Sequence, residues 1–261
     1  MDYDLPDEVR VEADGPLRIV RLSRPKQLNA VNEALHLGLT RVFPQLSADS
    51  DARVAVITGE GRAFSAGGDM DLLDRMVKDR TLRRETIAEG RQLVLGMLRC
   101  RIPVVAAVNG PAVGLGCSVV ALSDVVYMAE SAYLSDPHVM VGLVAADGGP
   151  LTWPLHMSLL LAKEYAFTGD RITAVRAKEI GLANHVCPDG EVLSAAVAGA
   201  RRIAALPQQA VEATKRVLNL HVEQAVLATI DFAMAAETES FDTTELQENV
   251  ARFLKRSPGK D

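Results

Sequence analysis

Apolar residues alternate with polar ones at Val9 and Val11, break at Asp14-Gly15, and resume at Leu17 and Ile19. That pattern predicts two strands around a tight turn. Arg24-Pro25-Lys26-Gln27-Leu28-Asn29 interrupts it as a loop. Leu35, Leu39, Val42 and Leu46 then recur at helical spacing, with Pro44 expected to kink or end that helix. Continuous apolar runs over residues 53–58, 102–108 and 125–129 predict buried strands. Pro103 falls at the first turn of the second run, where a missing N–H does least harm. The small apolar stretch 112–122 predicts a tightly packed helix. Strands alternating with helices predict an α/β fold with parallel pairing.

From residue 158 onward the pattern is mainly helical. Thr173 reads as an N-cap and Gly181 as the residue just past the end of that helix. Residues 191–253 are almost all helix formers, interrupted at Pro207. The expected organisation is an α/β core over residues 1–200, followed by a helical part over residues 201–261. No internal repeat is visible.

Composition narrows the function classes. The 261 residues are 48% hydrophobic and 24% charged, enough to bury a full core without a disulfide or metal staple. With 19 Gly, 12 Pro and 3 Cys, the chain is neither collagenous, low-complexity nor a disulfide scaffold. A formal charge of −6 leaves no positive surplus for a nucleic-acid duplex. The basic run Arg80-Thr-Leu-Arg-Arg84 is flanked by Asp79 and Glu85 and reads as a solvated helix face. Cys100, Cys117 and Cys187 are widely spaced with no CxxC, so structural zinc is not expected. The acidic N-terminal segment lacks an apolar h-region, and no apolar run is long enough to span a bilayer. The expectation is a soluble protein in a reducing, cytoplasmic setting.

Two of the buried strands run into glycine loops and then a helix start: 54–58 into Gly67-Gly68-Asp69, and 104–108 into Gly114-Leu115-Gly116. Two N–H groups converging there would make an oxyanion hole; alternatively the glycines serve only close helix–strand packing. No Gly-Lys-Ser/Thr and no GxGxxG occurs, which excludes the common nucleotide loops. Ala63-Phe-Ser65-Ala-Gly67 is one residue short of a GxSxG nucleophile elbow, leaving a Ser65 hydrolase open.

Three segments in order resemble the crotonase superfamily, the enoyl-CoA hydratase/isomerase family. They are Ile19-Val-Arg-Leu-Ser-Arg-Pro-Lys-Gln-Leu-Asn-Ala-Val-Asn32, Gly61-Arg-Ala-Phe-Ser-Ala-Gly-Gly-Asp-Met70, and Ile102-Pro-Val-Val-Ala-Ala-Val-Asn-Gly-Pro-Ala-Val-Gly-Leu-Gly-Cys117. The resemblance implies a spiral of ββα units with a C-terminal helical region that packs subunits into trimers, often paired as hexamers. It implies a thioester oxygen held by the N–H groups of Gly68 and Leu115. It places Lys26, Gln27 and Leu28, the backbone of Ala66, Gly68 and Met70, and also Phe253 and Arg256 along coenzyme A, which enters as part of the substrate rather than as a cofactor.

The sequence departs from the family where the reaction is set. A standard hydratase carries two glutamates that hold and activate water; the matching positions here are Ser118 and His138. His138 is followed nine residues later by Asp147, with Gly148-Gly149 after it. An imidazole titrates near neutrality, and a nearby carboxylate fixes its tautomer and raises its basicity. This arrangement resembles a branch that includes the 6-oxocamphor hydrolase, which cleaves a carbon–carbon bond between two carbonyls by adding water. Asp147 reads equally as a helix N-cap, Ser118 as a packing residue or water ligand, and His36, His156, His185 and His221 as surface or packing residues. Trp153 and Tyr133 read as core aromatics, and Met70, Leu73 and Met140 as apolar lining near the pocket.

The expected function is an acyl-CoA enzyme of the hydratase/isomerase type, with no metal, using His138 and Asp147 as its acid/base pair. The competing readings are a retro-Claisen β-diketone hydrolase and a catalytically silent scaffold. RNA-binding members of the family the chain resembles carry a lysine-rich helix early in the chain, whereas residues 33–50 here hold no lysine and only Arg41.

Overall fold

The structure is a computed structural model that describes residues 2–256, the side chain of Arg256 excepted. Two strands, β1 (Val9–Asp14) and β2 (Leu17–Leu22), form an antiparallel hairpin at the edge of a six-stranded sheet. That sheet continues in parallel through β3 (Val54–Gly59), β4 (Val104–Val108), β6 (Val125–Ala129) and β9 (His185–Cys187). β3 and β4 are buried along their whole length, as apolar runs covered on both faces must be. A second, three-stranded sheet joins β5 (Ala112–Val113), β7 (Tyr133–Ser135) and β8 (Ile172–Thr173).

The two sheets arise from a repeated strand–strand–helix order. β4, β5 and α4 (Leu115–Ala121) make one such unit, and β6, β7 and α5 (His138–Val141) make another. In each, the first strand enters the large sheet and the second enters the small one. The stretch expected as one helix over 112–122 is therefore divided. Ala112 and Val113 pair with Leu134 and Ser135, and the helix starts only at Leu115.

Helices cover the sheets: α1 (Glu33–Ala48), α2 (Met70–Lys78) and α3 (Arg80–Arg99) before β4, then α6 (Gly149–His156), α7 (Leu159–Thr168) and α8 (Ala174–Glu179). The chain ends in α9 (Val192–Ala204), α10 (Gln208–Leu227), α11 (Ile230–Ser240) and α12 (Thr244–Arg256). Pro44 neither ends nor divides α1. Its ring packs across Gly96 of α3, where a side chain would meet the pyrrolidine at 3.7 Å. Tertiary packing thus offsets the lost backbone bond. At α8 the expected cap is present, with the Arg176 N–H donating to Thr173 Oγ1.

One large apolar cluster fills the space between sheet and helices. A smaller one, Leu72, Met76, Leu143, Phe241, Leu246 and Val250, joins α2 to α12. Arg83 lies over the Phe241 ring at 5.2 Å and binds Asp242 at 3.0 Å, which closes that side of the molecule. The three cysteines are free and buried. No helix among the described residues is long and apolar enough to cross a membrane.

Candidate active site

The loop after β3 and the loop after β4 meet over a cavity of about 140 Å³. They are tied to each other by backbone bonds. The Val113 N–H donates to the Ser65 carbonyl at 2.9 Å, and Ser65 pairs with Ala112 as an isolated bridge. The loops touch so closely at Gly67 that a side chain there would come within 2.9 Å of the Val113 carbonyl. Gly67 and Gly114 have φ of +86° and +52°, conformations in which an L side chain is strained. This geometry leaves the N–H groups of Gly68 and Leu115 without an acceptor among the described residues. Leu115 is the first residue of α4, where no intrahelical acceptor exists. Both residues line the cavity.

The opposite wall is made of side chains. His138 begins α5 directly after the β7 end, and its ring sits over Gly114, with Cε1 3.6 Å from where a Cβ would stand. Its Nδ1 is hydrogen-bonded to Asp136, not to Asp147. The other Asp136 oxygen accepts the Gly149 N–H at 2.7 Å. Gly148 makes room for this carboxylate, since a Cβ there would meet Asp136 Oδ2 at 2.5 Å. Asp147 faces His138 from the other side, its Oδ1 3.9 Å from Nε2. Asp147 does not cap a helix: α6 starts at Gly149 with Gly148 before it.

The electrostatics follow from these contacts. Burial disfavours the His138 cation, but the Asp136 carboxylate outweighs burial and pushes its pKa up to about 10. Burial also opposes ionisation of Asp136, yet His138 and the Gly149 N–H hold its carboxyl below the usual range. At neutral pH the two form an ion pair. Burial raises Asp147, with Asp136 adding to the effect and His138 opposing it. Glu237 of α11 lines the same cavity, and burial followed by the Asp147 carboxylate pushes it up to about 8.

Three residues of the site do not stand out in the sequence. Asp136 stands two positions before His138, so the Asp-Pro-His spacing was its available signal. His36, expected as a surface or packing residue, lines the cavity and holds Glu89 at 3.0 Å from its Nδ1. Glu237 carried no signal, because only the packing of α11 brings it in. Ser118 is buried in α4; its hydroxyl donates to the Gly114 carbonyl at 3.2 Å and lies 3.5 Å from Asp147 Oδ1.

Ser65 is not beside any base. Its hydroxyl donates to the Asn29 carbonyl at 2.8 Å and accepts the Gly67 N–H at 3.2 Å, so it braces the loop and the elbow reading is corrected. Met70 and Leu73 line the cavity, but Met140 does not; it is exposed and lies against Gly169. Trp153 is a fully buried core residue, and Tyr133 stacks under Arg171 at 4.3 Å.

Lys26, Gln27 and Leu28 lie outside the cavity lining, on a short 3₁₀ turn beside the first loop. Two contacts dock this turn: the Ala66 N–H donates to the Leu28 carbonyl at 2.9 Å, and Arg24 binds Asp69 at 3.0 Å. The Ala66 N–H is therefore already engaged, while Ala66, Gly68 and Met70 all line the cavity. Phe253 is half exposed on α12, away from the cavity lining. Arg256 closes α12, and its side chain lies outside the described residues. No group of three or more His, Cys, Asp or Glu among the described residues is placed to hold a metal ion.

A family model described as enoyl-CoA hydratase/isomerase matches residues 12–260. The crystal structure of an enoyl-CoA hydratase/isomerase from Mycobacterium paratuberculosis has a TM-score of 0.94 and 64% identity, covering 96% of this chain and 100% of that one. The 2,3-dehydroadipyl-CoA hydratase of Escherichia coli (strain K12) is 31% identical over 257 residues, 96% of this chain and 97% of its own length. A probable mitochondrial enoyl-CoA hydratase of Dictyostelium discoideum is 29% identical over 248 residues, 95% of this chain and 88% of its own.

Proposed function

Since the chain belongs to the enoyl-CoA hydratase/isomerase family of acyl-CoA enzymes, we propose that it adds water to a 2-enoyl thioester, with His138 and Asp147 as its acid/base pair. The thioester carbonyl accepts from the Gly68 and Leu115 N–H groups. Water attacks the β-carbon, the electron pair moves to the thioester oxygen, and the resulting enolate is stabilised by those two donors. Asp147 takes the proton from water. A proton is delivered to the α-carbon as the enolate collapses.

His138 acts here as a cation. Asp136 fixes its Nδ1 and its charge, so Nε2 presents an N–H to Asp147 and to the developing negative charge. The observation that carries this reading is the meeting of two unpaired backbone donors with a charged imidazole and a carboxyl in one cavity. Lys26, Gln27 and Leu28, the Gly68 and Met70 backbone and the Ala66 carbonyl are proposed to run along coenzyme A. Exposed Leu218, Phe232 and Phe253 support the assignment of residues 201–261 to subunit packing in a trimer or hexamer.

The test is incubation of the purified protein with short and medium 2-enoyl-CoA esters, read by mass spectrometry. A gain of one water is expected, reduced about 10²-fold in His138→Ala. Binding without any mass gain would sink the hydration reading. It would then point to isomerisation, to carbon–carbon hydrolysis of the 6-oxocamphor hydrolase kind, or to a silent scaffold.

A further inference from the structure

Glu237 belongs to none of the motifs in the sequence, yet α11 carries it onto the cavity wall beside Asp147. Met234, one turn earlier on the same helix, is buried, and the Thr238 carbonyl accepts from Arg83 at 3.4 Å, so the register of α11 is fixed on both sides of Glu237. Asp147 and Glu237 line the main cavity together, and with His36, Met76, Thr86 and Met234 they also line a small neighbouring pocket of about 30 Å³. The Glu237 carboxyl makes no hydrogen bond or ion pair with another described residue. Two of the charged or titratable groups nearby are engaged elsewhere: His36 of α1 holds Glu89 of α3, and Arg83 of α3 holds Asp242. The charges that reach it come from Asp147, His138 and Asp136.

We propose that Glu237 is a further catalytic residue, a second carboxyl that gives its proton to the α-carbon while Asp147 takes one from water. The assignment rests on the hydration reading above. Hydration removes a proton from oxygen and places one on carbon, at two different atoms. A neutral carboxyl and an ionised one on the same cavity wall supply an acid and a base at the same time. Glu237 is held neutral through pH 7 by its burial and by the Asp147 charge, which is the state a proton donor requires. The step balances. The water oxygen bonds to the β-carbon, its proton goes to Asp147, and the Glu237 proton goes to the α-carbon. Transfer of the proton from Asp147 to Glu237 then restores the starting state. The pair thereby performs the task of the two glutamates absent at Ser118 and His138, from a different part of the chain.

The experiment measures hydration of a short 2-enoyl-CoA by wild type, Glu237→Gln, Glu237→Asp, Asp147→Asn and His138→Ala across pH 6–10. Glu237→Gln is expected to lower kcat about 10²-fold with KM changed less than about threefold, and Glu237→Asp to recover part of the loss. Wild-type kcat is expected to fall as pH rises through about 8, where the proton donor is lost, and the Gln variant to lack that limb. Loss of activity in Asp147→Asn with full kcat and the same alkaline limb in Glu237→Gln overturns the Glu237 assignment and leaves the hydration reading in place. Equal losses in Gln and Asp variants, with KM raised and the limb unchanged, overturn it in favour of a packing role. No hydration by the wild type removes the hydration reading and this assignment with it.

Discussion

One wall of the cavity is backbone and the other is side chain, and the two are fixed by different forces. The backbone wall follows directly from β3 and β4, two fully buried strands, and its N–H donors are aimed by covalent geometry and by hydrogen bonds between the loops. The side-chain wall gathers His36 from α1, His138 from α5, Asp147 from the loop before α6 and Glu237 from α11. Charge and packing hold it, and its state varies with pH. In the proposed reaction the contrast separates two catalytic tasks. Stabilising the enolate needs donors whose position and charge never change, and peptide N–H groups meet that need. Moving protons needs groups whose charge does change.

The largest expected effect comes from breaking the backbone wall. Gly114→Ala puts a side chain at φ +52°, ψ −124°, a strain of about 1–3 kcal/mol, and turns the Leu115 N–H away from its aim. Removal of one oxyanion donor costs about 10²–10³ in kcat. The ionisable groups stay in place, so the pH profile should keep its shape while the whole curve drops. Steady-state rates across pH check this. A kcat within about threefold of wild type would mean the backbone donors do not set the rate.

A smaller effect is expected from the side-chain wall, and it depends on pH. Asp136→Asn removes the carboxylate that charges His138, and kcat should fall about 10–100-fold at neutral pH. Stability should change as well. The folded-state pKa of His138, about 10, lies above its ordinary value of 6.5, so the ion pair stabilises the fold fully below about 6.5 and loses this contribution as pH rises through about 10. The gap in Tm between wild type and Asp136→Asn should therefore be widest near pH 6 and close towards pH 10. Thermal melts at intervals across that range measure it. A gap that does not change with pH would remove the ion pair from the account.

The same contrast explains what the sequence could reveal. The buried strands, the hairpin at Asp14-Gly15, the α/β class and both glycine loops are local patterns, and each appears in the fold. Residues 112–113 read as helix in the sequence alone because their strand pairing is made with β7, about twenty residues away. Pro44 does not end α1, and its packing against Gly96 has no local trace in the sequence. His138 and Asp147 were legible through resemblance, and they do share the cavity. Asp136, the stronger partner of His138, is not distinguished from Asp147 by any pattern in the sequence. His36 and Glu237 were illegible: which face of α1 or α11 meets a cavity is decided by packing between distant segments, not by spacing along either helix.

The smallest expected effect lies where the two walls touch. Ser118 belongs to α4, which carries the Leu115 donor, and its hydroxyl stands between the Gly114 carbonyl at 3.2 Å and Asp147 Oδ1 at 3.5 Å. The second contact is at the outer limit of a hydrogen bond and contributes little. Removing the hydroxyl does not orphan the Gly114 carbonyl, which still receives the Ser118 N–H at 3.0 Å. Ser118→Ala should therefore change kcat by about threefold or less and stability by less than about 1 kcal/mol. Rates and denaturant unfolding of the variant test both numbers. A loss of tenfold or more, roughly 1.4 kcal/mol, would show that Ser118 sets the position of Asp147. The backbone and side-chain walls would then be one coupled unit, and Gly114→Ala should distort the pH profile that it is otherwise expected to preserve.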